Sequence, residues 1–229
     1  MKRIVLNADD LGYDPEIDRG ILEAHAHGLV TSATAMVDSP YLAAAIAAAP
    51  HSLRLGVHVV LAPDARPGDV EPEVRRQVAR FRELAGRAPT HLDSHRHVHA
   101  RAELAEPFAR AAAALGLPLR ALDAAHRALV RGAGAHCPDH FLGDAALRPC
   151  WTLERLVAAL GALPEGTTEL MCHPGHAPAV VKTSFGAERE IELAALCHRA
   201  ARAALGGAVR CGFDSLQRVE SREDGESPP

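Results

Sequence analysis

The sequence predicts an α/β fold, specifically a distorted (β/α) TIM-like barrel in a single domain, and three observations carry that prediction. Apolar strand-like segments alternate with helical ones about eight times, the order of a parallel sheet covered by helices. Several of the strands are continuous apolar runs, as expected for strands buried on both faces. Clusters of aspartate and histidine fall where strands end, and in (β/α) barrels the loops after the strands form the catalytic face. The 229 residues fall slightly short of the ~250 usual for such a barrel, and a doubly wound open sheet is the alternative.

The elements follow in order. Residues 2–6 form the first strand, and positions 7–10 are mostly polar. Asp14 and Pro15 open a helix as N-cap and first helical residue. Ile17, Ile21, Leu22 and Ala24 give it an apolar stripe, and Gly28 ends it. Strand 32–37, an alanine-rich helix 41–49 and a strand within 53–61 come next. A polar loop with Pro63, Pro67 and Gly68 leads to a helix at 71–85, stopped by Gly86. Strand 90–93, a helix 102–115 closed by Gly116, strand 117–120 and a helix 122–130 continue the alternation. Residues 132–144 are rich in glycine and histidine and hold a short strand at most. A helix at 153–163, a strand at 168–172, a long helix at 187–205 and a strand at 209–213 complete a domain of residues 1–220. The tail 221–229 is charged and rich in Pro, Ser and Gly, the composition of a disordered end.

Composition removes several classes of function. With 25 Lys+Arg against 29 Asp+Glu the net charge is −4, which gives no basic surplus for a phosphate backbone, so nucleic acid is not an expected partner. No run approaches the ~18 apolar residues of a membrane span, and the apolar stretch at residues 4–6 is too short for a signal-peptide core. The five cysteines are odd in number and never spaced C-x-x-C, so a reducing cytoplasm is the expected compartment. The phosphate loop, the serine-nucleophile elbow and the H-E-x-x-H motif are all absent.

The chemistry-bearing residues are 14 histidines and a few aspartates. In an extended strand Asp9 and Asp10 point to opposite sides, which would free one to bind a metal and the other to act as a base. Neither has a lysine or arginine close in sequence to pair with. His58 interrupts an apolar run and is either a hydrogen-bonded core residue or a ligand. The stretch Thr90-His91-Leu92-Asp93-Ser94-His95-Arg96-His97-Val98-His99 has no ordinary packing explanation. Imidazole suits Zn, Ni, Fe or Co, and alternation places His91, Asp93, His95, His97 and His99 on one face if the chain stays extended. A tetrahedral site cannot use them all, so some must orient ligands or touch substrate. Cys172-His173-Pro174-Gly175-His176 holds His173 at a strand end before a turn, a position suited to a general acid or base.

In order along the chain, Asn7-Ala8-Asp9-Asp10-Leu11-Gly12, Val30-Thr31-Ser32-Ala33-Thr34, Gly56-Val57-His58, the histidine stretch with Pro89 before it, and Cys172-His173-Pro174-Gly175 resemble the YdjC-like carbohydrate deacetylases. The resemblance spans residues 2–196. It implies a distorted (β/α) barrel, often dimeric, holding one divalent metal ion (Mg2+ or Zn2+) on Asp10, His58 and His95. It makes Asp9 the general base and His173 the general acid or a substrate-side group. His97, His99, Asp139, Arg189 and Glu190 become candidates to face substrate. The implied reaction is removal of the N-acetyl group from a small amino sugar or a short N-acetylglucosamine-containing oligosaccharide or glycoconjugate. The segment between His58 and His91 is short for the family and Leu11 stands where an aromatic is expected, departures that would reshape the mouth of the pocket more than the metal centre. The low aromatic content, 3%, also favours a short ligand over a long polysaccharide groove. Other metal-dependent hydrolysis on the same barrel, of a phosphoester or another amide, and an inactive metal-binding protein are the competing readings.

Overall fold

The computed structural model describes residues 1–143 and 150–216, so the tail at 221–229 lies outside the described residues. The elements run β1 (Lys2–Leu11), α1 (Pro15–Ala26), β2 (Ser32–Ala35), α2 (Leu42–Ala48), β3 (Arg54–Val59), α3 (Pro67–Ala85), β4 (Leu92–Ser94), α4 (Ala105–Leu115), α5 (Ala124–Gly132), β5 (His140–Leu142), α6 (Leu153–Gly161), β6 (Gly166–Cys172), α7 (Ala187–Cys197), α8 (Arg199–Ala204) and β7 (Val209–Arg210). The strands pair in parallel in the order β4-β3-β2-β1-β6-β5, the half-barrel of an α/β single domain. No helix among the described residues is long and apolar enough to cross a membrane.

Sparser hydrogen bonds carry the ring past the sheet's edges. Leu92 N donates to Pro118 O and Arg120 N to Leu92 O, at 2.8 and 3.0 Å. Leu119 N donates to His136 O at 2.9 Å, and Asp139 N to Thr167 O of β6 at 2.8 Å. The strand expected at 117–120 is therefore present only as a bridge, Leu92 to Leu119. This thin sector is where the barrel is distorted.

Three other expectations change. β1 continues through the polar residues to Leu11, because Asn7 and Asp9 point into a barrel interior that satisfies them. The helix expected at 187–205 divides at His198, whose backbone is extended (φ −77°, ψ 138°) and whose ring accepts the Ala200 N–H to cap α8. The last strand shrinks to Val209–Arg210, which pairs with Arg3 and Ile4 on the side of β1 that β2 occupies only from Asn7 onward.

The apolar core and the polar interior lie on opposite faces of the strands. Ile4, Leu6 and Ala8 of β1, Leu55, Val57 and Val59 of β3, and Leu170 and Cys172 of β6 pack in the apolar core, the face that the helices cover. The alternate positions, Asn7, Asp9, His58, Asp93 and Glu169, are also buried but bond to one another and to Arg120. Such polar burial is tolerated only when each group finds partners.

Candidate active site

Strands β1 and β3, and the turns that follow β4 and β6, deliver functional side chains at the C-terminal end of the sheet. In β1 the register shifts between Ala8 and Leu11, and Asp10 adopts φ +72°. This bulge cancels the alternation that would separate two adjacent side chains, so Asp9 and Asp10 line one cleft. In that respect the expectation that they point apart is corrected.

The same cleft receives His58 from the end of β3, His95 from the turn after β4, His173 from the end of β6 and Arg189 from α7. Asp10 Oδ1 is buried and accepts no hydrogen bond, yet it lies 3.3 Å from His58 Nε2 and 3.4 Å from His95 Nδ1. A carboxylate oxygen without a donor, facing two imidazole nitrogens, is a donor set that a divalent cation satisfies. The three residues fit such an ion. Behind His58, Nδ1 is 2.7 Å from Asp93 Oδ1, the carboxylate–histidine pairing that orients a ligating ring. Burial opposes charge on His58, but Asp93 and Asp10 outweigh it and push its pKa up to about 10. The negative field that holds that proton equally favours a metal cation in its place.

Asp10 Oδ2 accepts Arg189 Nη2 at 2.6 Å. Although burial works against it, Arg189 and the two imidazoles keep Asp10 well below the usual carboxylate range. Asp9 is gripped by Arg120, Nη1 to Oδ2 at 2.7 Å and Nη2 to Oδ1 at 2.6 Å. The guanidinium likewise overcomes the burial penalty and holds Asp9 ionised far below its ordinary value. Arg120 also reaches Asp93 at 2.8 Å and Glu169 at 2.7 Å. The lack of basic partners expected for the aspartate pair is thus corrected: the partners come from 111 and 179 residues away. Asp9, His58 and Asp93 also cluster as three donors, but Arg120 already engages both carboxylates there.

His173 Nε2 stands 4.0 Å from Asp9 Oδ2, and burial lowers its pKa to about 4 despite the two aspartates. Its backbone N–H donates to Glu192 Oε2 at 2.5 Å, and Trp151 N donates to Oε1 at 3.2 Å. Burial pushes Glu192 up to about 7.

The histidine stretch does not stay extended. After Ser94 the chain enters a 3-10 turn at His95–Ala100, with Arg96 and His97 left-handed at φ +55° and +52°. Only His95, Arg96 and His97 of this turn line the cleft. His99 is buried below, its Nδ1 2.6 Å from Ser94 Oγ, and is not brought to the cleft. His91 stacks on Phe213 at 3.8 Å and bonds Asn7 Oδ1 at 2.9 Å. A Cβ on Gly56 would meet its ring at 2.6 Å, so the glycine two residues before His58 is required by packing.

Asp139 and Glu190 are not gathered into the site. Asp139 lies at the opposite end of the barrel, accepting Thr167 N at 2.8 Å beside Arg131 at 2.7 Å. Glu190 is exposed on α7, because the helix turns Arg189 and Glu192 inward. Sequence reasoning missed Arg120, Glu192 and the cleft wall at 182–185. An arginine ending an apolar strand-like segment was the one signal available for Arg120.

Comparison with known proteins fits this geometry. The model of the family described as YdjC-like protein matches residues 3–68 and 62–206. The chain belongs to that family. It is 32% identical over 222 residues to a carbohydrate deacetylase of Geobacillus stearothermophilus, covering 84% of this chain and 88% of that one. It is 32% identical to a chitooligosaccharide deacetylase of Serratia marcescens, covering 89% and 94%. A crystal structure from Enterococcus faecalis V583, described as of a protein for cellobiose-phosphate cleavage, superposes with TM-score 0.82 at 26% identity over 94% of this chain and 98% of that one. The fold is shared with a family 4 acetyl xylan esterase from Clostridium thermocellum, solved with a cobalt ion, at TM-score 0.57, 14% identity and coverage of 94% and 90%.

Proposed function

We propose that this protein is a carbohydrate deacetylase that hydrolyses the N-acetyl group of a small amino sugar or short N-acetylglucosamine oligosaccharide, with the aid of one divalent metal ion. The observation that carries the reading is the unpartnered Asp10 Oδ1 between two imidazole nitrogens, with Asp9 and His173 4.0 Å apart beside it. Relatives named as carbohydrate and chitooligosaccharide deacetylases support the substrate class.

An amide resists hydrolysis because its carbonyl is a weak electrophile and its amine a poor leaving group. A divalent ion on Asp10, His58 and His95 would supply Lewis-acid charge for the carbonyl and lower the pKa of water. Asp9, held ionised by Arg120, takes the proton of the attacking water at Oδ2. Arg120 fixes the direction of that carboxylate while lowering its basicity. His173, neutral in the free site and 4.0 Å from Asp9, receives that proton and delivers it to the sugar nitrogen as the C–N bond breaks. Acetate and a free amine result.

The test is acetate release from short N-acetylglucosamine oligomers by metal-stripped protein, with and without added divalent metal. Acetate that appears only with metal supports the reading, and metal binding without acetate from any oligomer overturns it. Asp10→Ala should lose metal and turnover together. Asp9→Asn should keep the metal while turnover drops by ~10²–10⁴-fold, the usual share of a general base; near-normal turnover would remove Asp9 from that role.

A further inference from the structure

Asp14 is buried to 0% exposure and has no cationic partner among the described residues. Its two oxygens instead accept four backbone N–H groups. Oδ1 takes Glu16 N at 2.9 Å and Ala179 N at 3.1 Å. Oδ2 takes Val180 N at 2.7 Å and Val181 N at 3.0 Å. Capping α1 needs one oxygen only. The second oxygen serves a different segment, the irregular strap that joins β6 to α7.

That strap is fastened to α1 at further points. Gly20 and Gly175 cross so closely that a Cβ on Gly20 would lie 2.4 Å from the Gly175 Cα. His176 N donates to Glu16 O at 3.2 Å, and the His176 ring sits 3.0 Å from Glu23 Oε2. Beyond the residues bonded to Asp14, Lys182, Thr183, Ser184 and Phe185 form one wall of the catalytic cleft. Phe185 packs against the His173 ring at 5.3 Å, and its carbonyl accepts Arg189 Nε at 3.0 Å.

We propose that Asp14 is a positioning residue for the substrate: it moors the strap so that the wall at 182–185 is in place before the sugar arrives. This rests on the deacetylase reading for the identity of the ligand. Val180 turns its side chain outward, 58% exposed, so apolar packing of that residue does not hold the strap. Without the carboxylate, residues 179–181 would lose their three backbone bonds to Asp14 and keep mainly the contact of Val181 with the core, so substrate would have to help order that stretch, and the entropy would weaken binding. Asp10, His58 and His95 sit on β1, on β3 and in the turn after β4, not on the strap.

The test compares Asp14→Ser, which keeps a good helix cap but lacks the second oxygen that holds Val180 and Val181, with Asp14→Ala, which loses both oxygens. Amide exchange at residues 179–181, metal stoichiometry and the kinetics of acetate release from N-acetylglucosamine oligomers are measured on each. In Asp14→Ser we expect faster exchange at 179–181, full metal content, kcat within about threefold, and KM raised on the order of tenfold, an increment of one decade in affinity. Unchanged exchange would remove the mooring. Faster exchange with unchanged KM would remove its role in binding. A loss of stability in Asp14→Ala alone, with Asp14→Ser matching the wild type in exchange and KM, would reduce Asp14 to a helix cap. Failure of the deacetylase reading shows in the wild type as absent acetate, whereas failure of this proposal shows only in the ratio of variant to wild type.

Discussion

Arg120 is the residue on which the most charge depends. Its guanidinium is fully buried against Asp9, Asp93 and Glu169. Arg120→Met would leave three carboxylates facing one another in a low-dielectric interior. Breaking a buried pair by removing one partner typically costs about 3–5 kcal/mol; urea denaturation should show a loss at least in that range. Arg120→Lys should recover part of it, yet not the two-pronged grip on Asp9. At this scale the sequence singled out Asp9, Asp10, His58, His95 and His173 because aspartate and histidine stand out at the ends of apolar strands, and the fold gathers all five in one cleft. It gave one weak signal for Arg120 and none for Glu192, residues whose meaning comes from partners far along the chain. It misled about Asp139 and Glu190, where the residue type fitted and the position in the fold did not.

Among the elements, α1 shows how much one helix entry can carry. Asp18 sits in its first turn, buried, with Oδ1 accepting Gly12 N at 2.5 Å. Burial and the nearby Asp14 charge outweigh that bond and raise its pKa to about 7. An unfolded aspartate titrates near 3.9, so the folded chain keeps a proton that the unfolded chain has released. The stability from this group is full below about pH 4 and is lost as pH rises through about 7. Asp18→Asn fixes the neutral form. Melting curves at pH 5 and pH 8 should show the wild type losing more than the variant over that interval; an equal loss would contradict the assignment. The cap and stripe of α1 were legible because capping is local chemistry. The break at His198 was not, because an alanine-rich stretch remains helix-compatible on both sides and only the extended backbone at one residue ends it. The turn after β4 was hidden for a similar reason: alternating histidines read as a strand, and left-handed Arg96 and His97 have no glycine to announce them.

For the molecule as a whole, the barrel interior is a charged network whose Asp10, His58 and His95 would hold a cation under the proposed function. Ion binding to the folded state alone should stabilise it by RT ln(1 + [L]/Kd), about 2.7 kcal/mol at a hundredfold excess over Kd. Calorimetry should therefore show the melting temperature rising with added divalent metal and falling with a chelator, with no response in Asp10→Ala. A wild type indifferent to both would count against the metal centre. Fold class was the most legible level of all, since strand–helix alternation is a property of the entire chain. The thin sector at Leu119 and His136 was not, because a barrel closed by single hydrogen bonds leaves no run of strand residues to find.

The position of β1 has a consequence for the order in which the site can come into being. Its residues from Lys2, opposite Gly166, to Ala8, opposite Cys172, pair with β6, some 164 residues later in the chain. During synthesis at about 5–20 residues per second, the strand bearing Asp9 and Asp10 would wait roughly 8–30 s for that partner. Arg120 follows Asp9 by 111 residues and Arg189 follows Asp10 by 179, so Asp9 spends much of that interval, and Asp10 all of it, without its guanidinium partner. The catalytic centre is thus among the last features of the nascent chain to assemble, and a ribosome-stalled chain ending before β6 should expose β1 to protease while leaving α1 and α3 free to form.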